Sequence, residues 1–426
     1  MTETQAGPEP DTSGPKGATA SVDRQDERLR QDVGVRGAIT GFVERVRSGD
    51  LGVLPVVAGI VIIWTVFQVL NPIFLSPANL VNLLMESVAV GVIALGIVCV
   101  LLVGQIDLSV GSVSGLSAAI TAVTFVGAGW PAWLSILVAI AVGCVIGFFY
   151  AQLFTRFGVP SFVVTLAGLL GFLGVQLYLL GEVGSINLPF TSGLVFFAQL
   201  AFLPEWLSYV LVALVAAAMF GTGYNLARER TRAGLSAQSV SALALRSGVV
   251  LVGLGLAVWY LNLGRGIGWM VVLFVALVLV LHYALTRTAW GRSLFAVGGN
   301  AEAARRAGIA VNRVYTSAFV LCSALAALGG VLAAARLAAA NQASGGGDVN
   351  LNAIAAAVIG GTSLFGGRGS AFAALLGIIV IQSISSGLTL QNLDSSFRFM
   401  VTGLVLALAV ALDSLARRSR ASHGRA

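Results

Sequence analysis

Charge is what this sequence lacks. Of its 426 residues only 10% are charged and 57% are hydrophobic, with a mean hydropathy of +0.93. A water-soluble domain carries about 25% charged residues. The shortage deepens past the N-terminus, because residues 1–50 hold sixteen of the charged side chains and the other 376 residues share 27. No water-facing surface can be assembled from that remainder. A water-exposed globular enzyme is excluded, and an all-α polytopic membrane protein is left. Lysine is nearly absent, Lys16 standing alone. The arginines sit between apolar runs, which is a topological pattern; no nucleic-acid footprint is expected. His282 and His423 are too few and too far apart to make a ligand cluster. Cys99, Cys144 and Cys322 lie in apolar stretches without CxxC spacing and read as inert thiols, so no metal site is expected. No G-x-x-x-x-G-K-[ST] is present to cradle a phosphate.

What is there is a series of apolar runs of spanning length, each needing about 17–25 residues. They fall near 53–71, 79–103, 108–128, 132–155, 160–180, 206–226, 247–264, 267–286, 314–335, 370–390 and 397–413. A shorter piece, Leu351 to Gly361, suits a half-helix or re-entrant segment surrounded by protein. About 10–12 membrane segments result, some of them discontinuous. Residues 1–50 read as a disordered cytoplasmic tail, residues 51–415 as the membrane domain with a cytoplasmic loop at about 287–313, and residues 416–426 as a basic cytoplasmic tail. Nothing near Met1 reads as a cleaved signal peptide.

The arginines test that layout. Arg156, then Arg228, Arg230, Arg232 and Arg246, then Arg287, Arg292, Arg305, Arg306 and Arg313, and finally Arg417, Arg418, Arg420 and Arg425 all fall on the cytoplasmic side if the N-terminus is inside. The opposite loops carry Glu182, Glu205, Asp348 and Asp394, with few arginines such as Arg265. A cytoplasmic C-terminus requires an even number of crossings. Eleven runs and the short piece make twelve, so the short piece crosses or pairs with a break to do so.

Two segments repeat. Gly104-Gln-Ile-Asp-Leu-Ser-Val-Gly111 and Gly360-Gly-Thr-Ser-Leu-Phe-Gly-Gly367 share Gly, Leu and Gly at the same offsets, each followed by a small-residue helix. The topology puts both on one side, making the repeat parallel. Interrupted, repeated segments point to a transport pathway between the halves. Polar residues inside apolar runs are the pathway or hinge candidates: Glu86, Gln105, Asp107, Ser109 and Gly111 in the first half, Gly361, Thr362 and Ser363 in the second. Glu86 is either a pathway or interhelix contact or a carboxylate snorkelling to the surface. Asp107 is expected to cap the amides of the following turn, ahead of any sugar contact.

The loop Gly298-Gly-Asn-Ala-Glu-Ala-Ala-Arg-Arg-Ala-Gly308 reads as a short helix capped by Asn300, with Glu302 in its first turn, a flat face of Ala303, Ala304 and Ala307, and Gly308 as its stop. Such a face suits a cleft in another protein. Glu302-Ala303-Ala304 followed by Gly308 resembles the coupling loop of ABC importer permeases. Gly298-Gly299-Asn300, the Gly104–Ser112 motif and Ile354-Ala-Ala-Ala-Val-Ile-Gly-Gly-Thr-Ser-Leu-Phe-Gly-Gly resemble the ribose/xylose branch of that family. The resemblance runs from about residue 55 to residue 415 and is strongest after Arg287. An inserted pair of spans with Leu261-Asn-Leu-Gly-Arg-Gly-Ile between them is most similar to the xylose permeases.

The resemblance implies a transport subunit without chemistry of its own, in a bacterial cell membrane with both termini cytoplasmic. ATP and Mg would be used by a separate cytoplasmic ATPase subunit, engaged through Gly299, Asn300, Glu302, Ala303, Ala304 and Gly308. It further implies a permease homodimer and an extracytoplasmic sugar-binding protein that delivers a monosaccharide, D-xylose before ribose, galactose or a nucleoside. The competing reading is a secondary transporter of a small polar solute driven by an ion gradient, suggested by the broken helices, the repeat and Glu86. An intramembrane enzyme needs a paired nucleophile and base or a metal cluster, and the sequence offers neither.

Overall fold

In lipid every backbone amide must find its partner within the protein, so a chain this apolar has to fold as helices. A computed structural model describes residues 54–233, 237–394, 396–397, 399–404, 407 and 411. The expected tails at 1–50 and 416–426, and most of the 397–413 run, lie outside the described residues. Among those residues nine helices are long and apolar enough to cross a membrane, and two more apolar helices are shorter. The all-α expectation is met.

The main body begins with α1 (Leu54–Leu70) and α2 (Pro77–Leu102). Ser76 caps α2 and Pro77 starts it with a pre-set φ. At 26 residues α2 is about 39 Å long, and it is buried throughout Gly91–Leu102. Next come α3 (Val110–Ala122), which loosens into a π-turn at Val123–Gly127, α4 (Ala132–Phe157) and α5 (Ser161–Leu180). The strand β1 (Ser185–Asn187) and α6 (Gly193–Gln199) follow. Later in the chain the body holds α9 (Trp269–Arg287), α10 (Ala289–Gly299), α11 (Ala301–Arg306), α12 (Val311–Leu337), β2 (Ala339–Asn341), α13 (Gly347–Ile359) and α14 (Ala371–Leu390).

Between these parts, residues 206–259 make a separate compact unit, the pair α7 (Glu205–Arg232) and α8 (Val240–Asn262). Gly223 faces the Leu243 side chain within it. The pair set apart is therefore α7 with α8, whereas the sequence coupled the 247–264 and 267–286 runs. Arg246 also lies inside α8 and not in a loop. Val240–Leu245 alternates alanine and leucine with few breakers, and good helix formers carry the helix through the arginine.

The centre of the body is α12. Its small residues Cys322, Ser323, Ala326, Ala327, Gly329 and Gly330 let neighbouring backbones approach closely. Gly96 of α2 meets Cys322, Gly143 of α4 meets Ser323 and Ala327, and Gly330 meets the Ser114 backbone of α3. At the far end, β1 and β2 pair antiparallel with Ser185 opposite Asn341, joining the exits of α5 and α12. The fully buried Gln176 secures the same corner by donating from Nε2 to Ser344 O at 2.9 Å and to Asn341 O at 3.1 Å. Gln176→Leu removes a donor from the Ser344 carbonyl and leaves Asn341 O only the Ser344 amide, at a cost of about 1–3 kcal/mol. We expect a lower thermal unfolding midpoint in detergent; an unchanged midpoint would mean the β pairing holds the corner alone.

The short apolar piece is α13, thirteen residues and about 20 Å long, against a hydrocarbon core of about 30 Å. The chain then turns through residues 360–370 without a helix before α14, with left-handed glycines at Gly361, Gly366 and Gly367.

Candidate functional site

The loop at 287–313 builds as the sequence spelled it. Asn300, in extended backbone, accepts at Oδ1 from the Ala303 amide at 2.9 Å and caps α11. At the other end Ile309 N donates to Ala304 O and Gly308 N to Arg305 O, both at 3.0 Å. Gly308 has φ +84°, the left-handed conformation this double-bonded stop requires. Glu302 pairs with Arg305 at 2.9 Å and Arg306 at 3.3 Å; all three are exposed, so these pairs add little stability. The flat alanine face needs correcting. Ala304 is buried against its own chain, while Ala303 and Ala307, one turn apart, are exposed. The three alanines span about 100° of the helix, and Ala304, at one edge of that arc, is the one turned to the body. A groove of about 540 Å³ opens beside the helix stop, lined by Trp290, Gly308, Ile309, Arg313 and others.

The root of this loop is fastened to the membrane core by side chains and, at Gly298, by backbone. Trp290 Nε1 donates to Ser317 Oγ at 2.8 Å, and Leu294 and Val297 are buried. Gly367 N donates to Leu102 O, at the end of α2, at 2.9 Å. Gly298, in the last turn of α10, is pressed so close that a Cβ there would overlap Leu102 O and sit 2.6 Å from Gly367 N. A Cβ on Gly366 would sit 2.8 Å from Gly298 O and 2.9 Å from Gly104 N. Three segments meet here: the end of α2, the end of α10, and the loop leading to α14. The two repeated glycine motifs are thus brought together, and the loop at 287–313 joins them. Arg368, which the sequence reading passed over, is exposed beside this junction on the arginine-bearing end.

The other sequence candidates divide. Gly361 is exposed with φ +103°, whereas Thr362 and Ser363 are buried, their backbone amides donating to Ala357 O of α13 and to Arg368 O at 3.0 Å each. Gln105 is half-buried and faces Tyr315. Asp107 and Ser109 are fully buried, and the Asp107 carboxylate accepts from Ser109 N at 2.8 Å and Ser109 Oγ at 2.7 Å. It therefore closes a turn just before α3 and does not reach the amides inside the helix. Thr165 and Asn350 satisfy the Leu108 backbone on either side, at 3.2 and 2.6 Å. Gly111 packs so close that a Cβ there would sit 2.7 Å from Gly345 O and 3.2 Å from Asn350 Cβ. This broken stretch is covered by protein on all its polar groups named here, as irregular backbone at membrane depth must be. Glu86 is apart from all of these. It is an interhelix contact, its Oε1 held by Arg336 Nη2 at 3.0 Å and Nε at 3.2 Å. Arg336 was missed in the sequence because it ends a small-residue helix 250 positions away from its partner.

Comparison with known proteins decides the family. The family described as branched-chain amino acid transport system / permease component matches residues 79–410. The chain belongs to that permease family. The permease is 34% identical over 380 residues to the xylose transport system permease protein of Escherichia coli (strain K12), covering 89% of this chain and 96% of the relative. The corresponding protein of Haemophilus influenzae is 32% identical over 373 residues, covering 87% and 98%. The ribose import permease protein of Bacillus subtilis (strain 168) is 33% identical over 355 residues, covering 83% and 90%. No solved structure matches the chain. These relatives bear out the ribose/xylose branch read from the motifs, and they are named as permeases, a transport role and not an enzymatic one. The permease is a multi-pass membrane protein. The matched region takes in the whole glycine junction and the Glu86–Arg336 pair.

Proposed function

We propose that the permease forms the membrane path of an ATP-driven importer for a monosaccharide, D-xylose in the first place. A binding protein delivers the sugar on the outer face of the bacterial inner membrane. A cytoplasmic ATPase, using ATP and Mg, docks on α11, and two permease copies make the path. The observation that carries the reading is the junction of Leu102, Gly298 and Gly367, which ties the exposed, capped α11 to the bundle without a compliant side chain between. Movement imposed on α11 then reaches α2 and the loop before α14 directly. The xylose relatives, which match over more of the chain than the ribose relative, favour a pentose and xylose first. The arginine pattern supports a cytoplasmic α11 and cytoplasmic termini. A carrier driven by protons needs a relay of carboxylates across the membrane, and Glu86 has an arginine as its partner.

The test is sugar-dependent ATP hydrolysis by the permease reconstituted with its ATPase and binding protein. Xylose-loaded binding protein is expected to stimulate hydrolysis above ribose, arabinose and galactose. Ala303→Trp, on the exposed face of α11, is expected to separate hydrolysis from uptake, since a misfit at a docking contact costs about 2 kcal/mol or more. Uptake that follows an ion gradient without any ATPase association would overturn the reading.

A further inference from the structure

The helix α2 is buried or half-buried along its length except at three positions, Ala78, Asn82 and Glu86. These are spaced by four and form one narrow stripe. An amide and a carboxylate on an exposed stripe are costly against lipid, which favours water-lined space in front of them. Both polar residues are gripped from elsewhere in the body. Arg265 Nη2 donates to Asn82 Oδ1 at 2.6 Å, and Arg336 grips Glu86.

Each arginine is itself held. The Arg265 guanidinium lies over the Phe202 ring, 5.3 Å from its centroid. The segments carrying the two are clipped by Leu203 N to Ile267 O at 2.8 Å and Trp269 N to Ala201 O at 2.9 Å. Gln199 Nε2 donates to the Arg336 carbonyl at 2.9 Å. Two preorganised donor forks thus stand one helical turn apart, about 6 Å along α2. Both Arg336 contacts fall on Glu86 Oε1, and among the described residues Oε2 takes no partner. The Glu86 side chain is 50% exposed while Arg336 is only 21% exposed, so the carboxylate is the member turned to the open side.

We propose that Asn82, Glu86, Arg265 and Arg336 form a site that receives a monosaccharide as it enters the permease. A neutral polyol needs acceptors and donors side by side, which a carboxylate with a free oxygen and fixed guanidinium forks supply. Glu86 cancels the Arg336 charge, and Arg265, set on the neutral Asn82, leaves the site a net charge of about +1. Two rungs one turn apart let hydroxyls on opposite sides of one ring engage together. The proposal rests on the monosaccharide reading given above.

The test uses the whole importer in proteoliposomes, with labelled D-xylose and D-ribose. Two variants are read, Asn82→Leu and the charge swap Glu86→Arg with Arg336→Glu. Both are expected to co-purify with the ATPase, and the swap to keep its thermal midpoint, because the ion pair is rebuilt. Sugar turnover at saturating loaded binding protein is expected to fall about tenfold or more in each, the scale of a lost charge-assisted hydrogen bond. Wild-type turnover in the swap would make the pair a brace only and overturn the site. Should the swap fail to fold, Asn82→Leu decides, since it leaves the pair untouched and wild-type turnover there overturns the site equally. A wild-type importer that moves neither sugar refutes the monosaccharide reading itself, and does so before any substitution is made.

Discussion

Gly298→Ala is expected to cut sugar turnover about tenfold or more while the chain still inserts in the membrane. The added Cβ would land on Leu102 O, and its next neighbour, Gly367 N at 2.6 Å, is also main chain. No side chain is available to turn aside, so α10 or the end of α2 has to move. Overpacking of this kind costs about 1–3 kcal/mol, up to roughly a hundredfold in an equilibrium. The Gly367 to Leu102 hydrogen bond lies in the path of that movement. Insertion depends on the apolar helices, which the substitution leaves alone, so uptake should fail before expression does. Gly299→Ala is the informative contrast, since a Cβ there meets nothing within 4 Å. It should lose far less turnover. Equal losses at the two positions would mean that a partner reads the glycines themselves and that packing at the root of the loop is not the cause.

The second large effect is expected at Gly330. A Cβ there would overlap the Ser114 carbonyl, with the rest of the Ser114 backbone immediately behind it. Because α12 touches α2, α3 and α4 at once, a shift that relieves Ser114 disturbs the seats of Gly96 and Gly143 as well. Gly330→Ala should therefore destabilise the body by about 1–3 kcal/mol. The measurement is the thermal midpoint in detergent together with the yield of folded chain from membranes. Gly171, which has open space around it on α5, gives the comparison: Gly171→Ala should leave both quantities near wild type. A midpoint for Gly330→Ala matching that of Gly171→Ala would show that α3 yields more easily than its packing implies.

The parts legible in the sequence were those governed by local rules. Asn300 and Gly308 bracket α11 as cap and stop because capping depends on residues within one turn of each other. The spans were legible for the same reason, and so was the short helix ending near 360. What the sequence concealed was set by distance along the chain. Glu86 stood out as a lone charge, but nothing local announces that Arg336 will reach it, or that Arg265 will reach Asn82. Gln176 was visible as a polar residue, yet its partners are carbonyls, which every residue owns and no sequence distinguishes. The inward turn of Ala304 was hidden too, since alanine suits a buried and an exposed face alike. The Gly104 and Gly360 motifs were matched as a repeat; their meeting at Gly298 required the third dimension.

The double stop on α11 has a consequence for how a partner finds it. Six residues are far too few to hold a helix unaided, because nucleation consumes more order than so short a ladder returns. Here the Asn300 cap, the Gly308 stop and the anchored Ala304 do the nucleating in advance. On the function proposed above, an approaching ATPase would meet a finished knob, not a strand that must coil as it binds. No folding step stands between encounter and grip, so the pace of assembly should be set by diffusion and orientation alone.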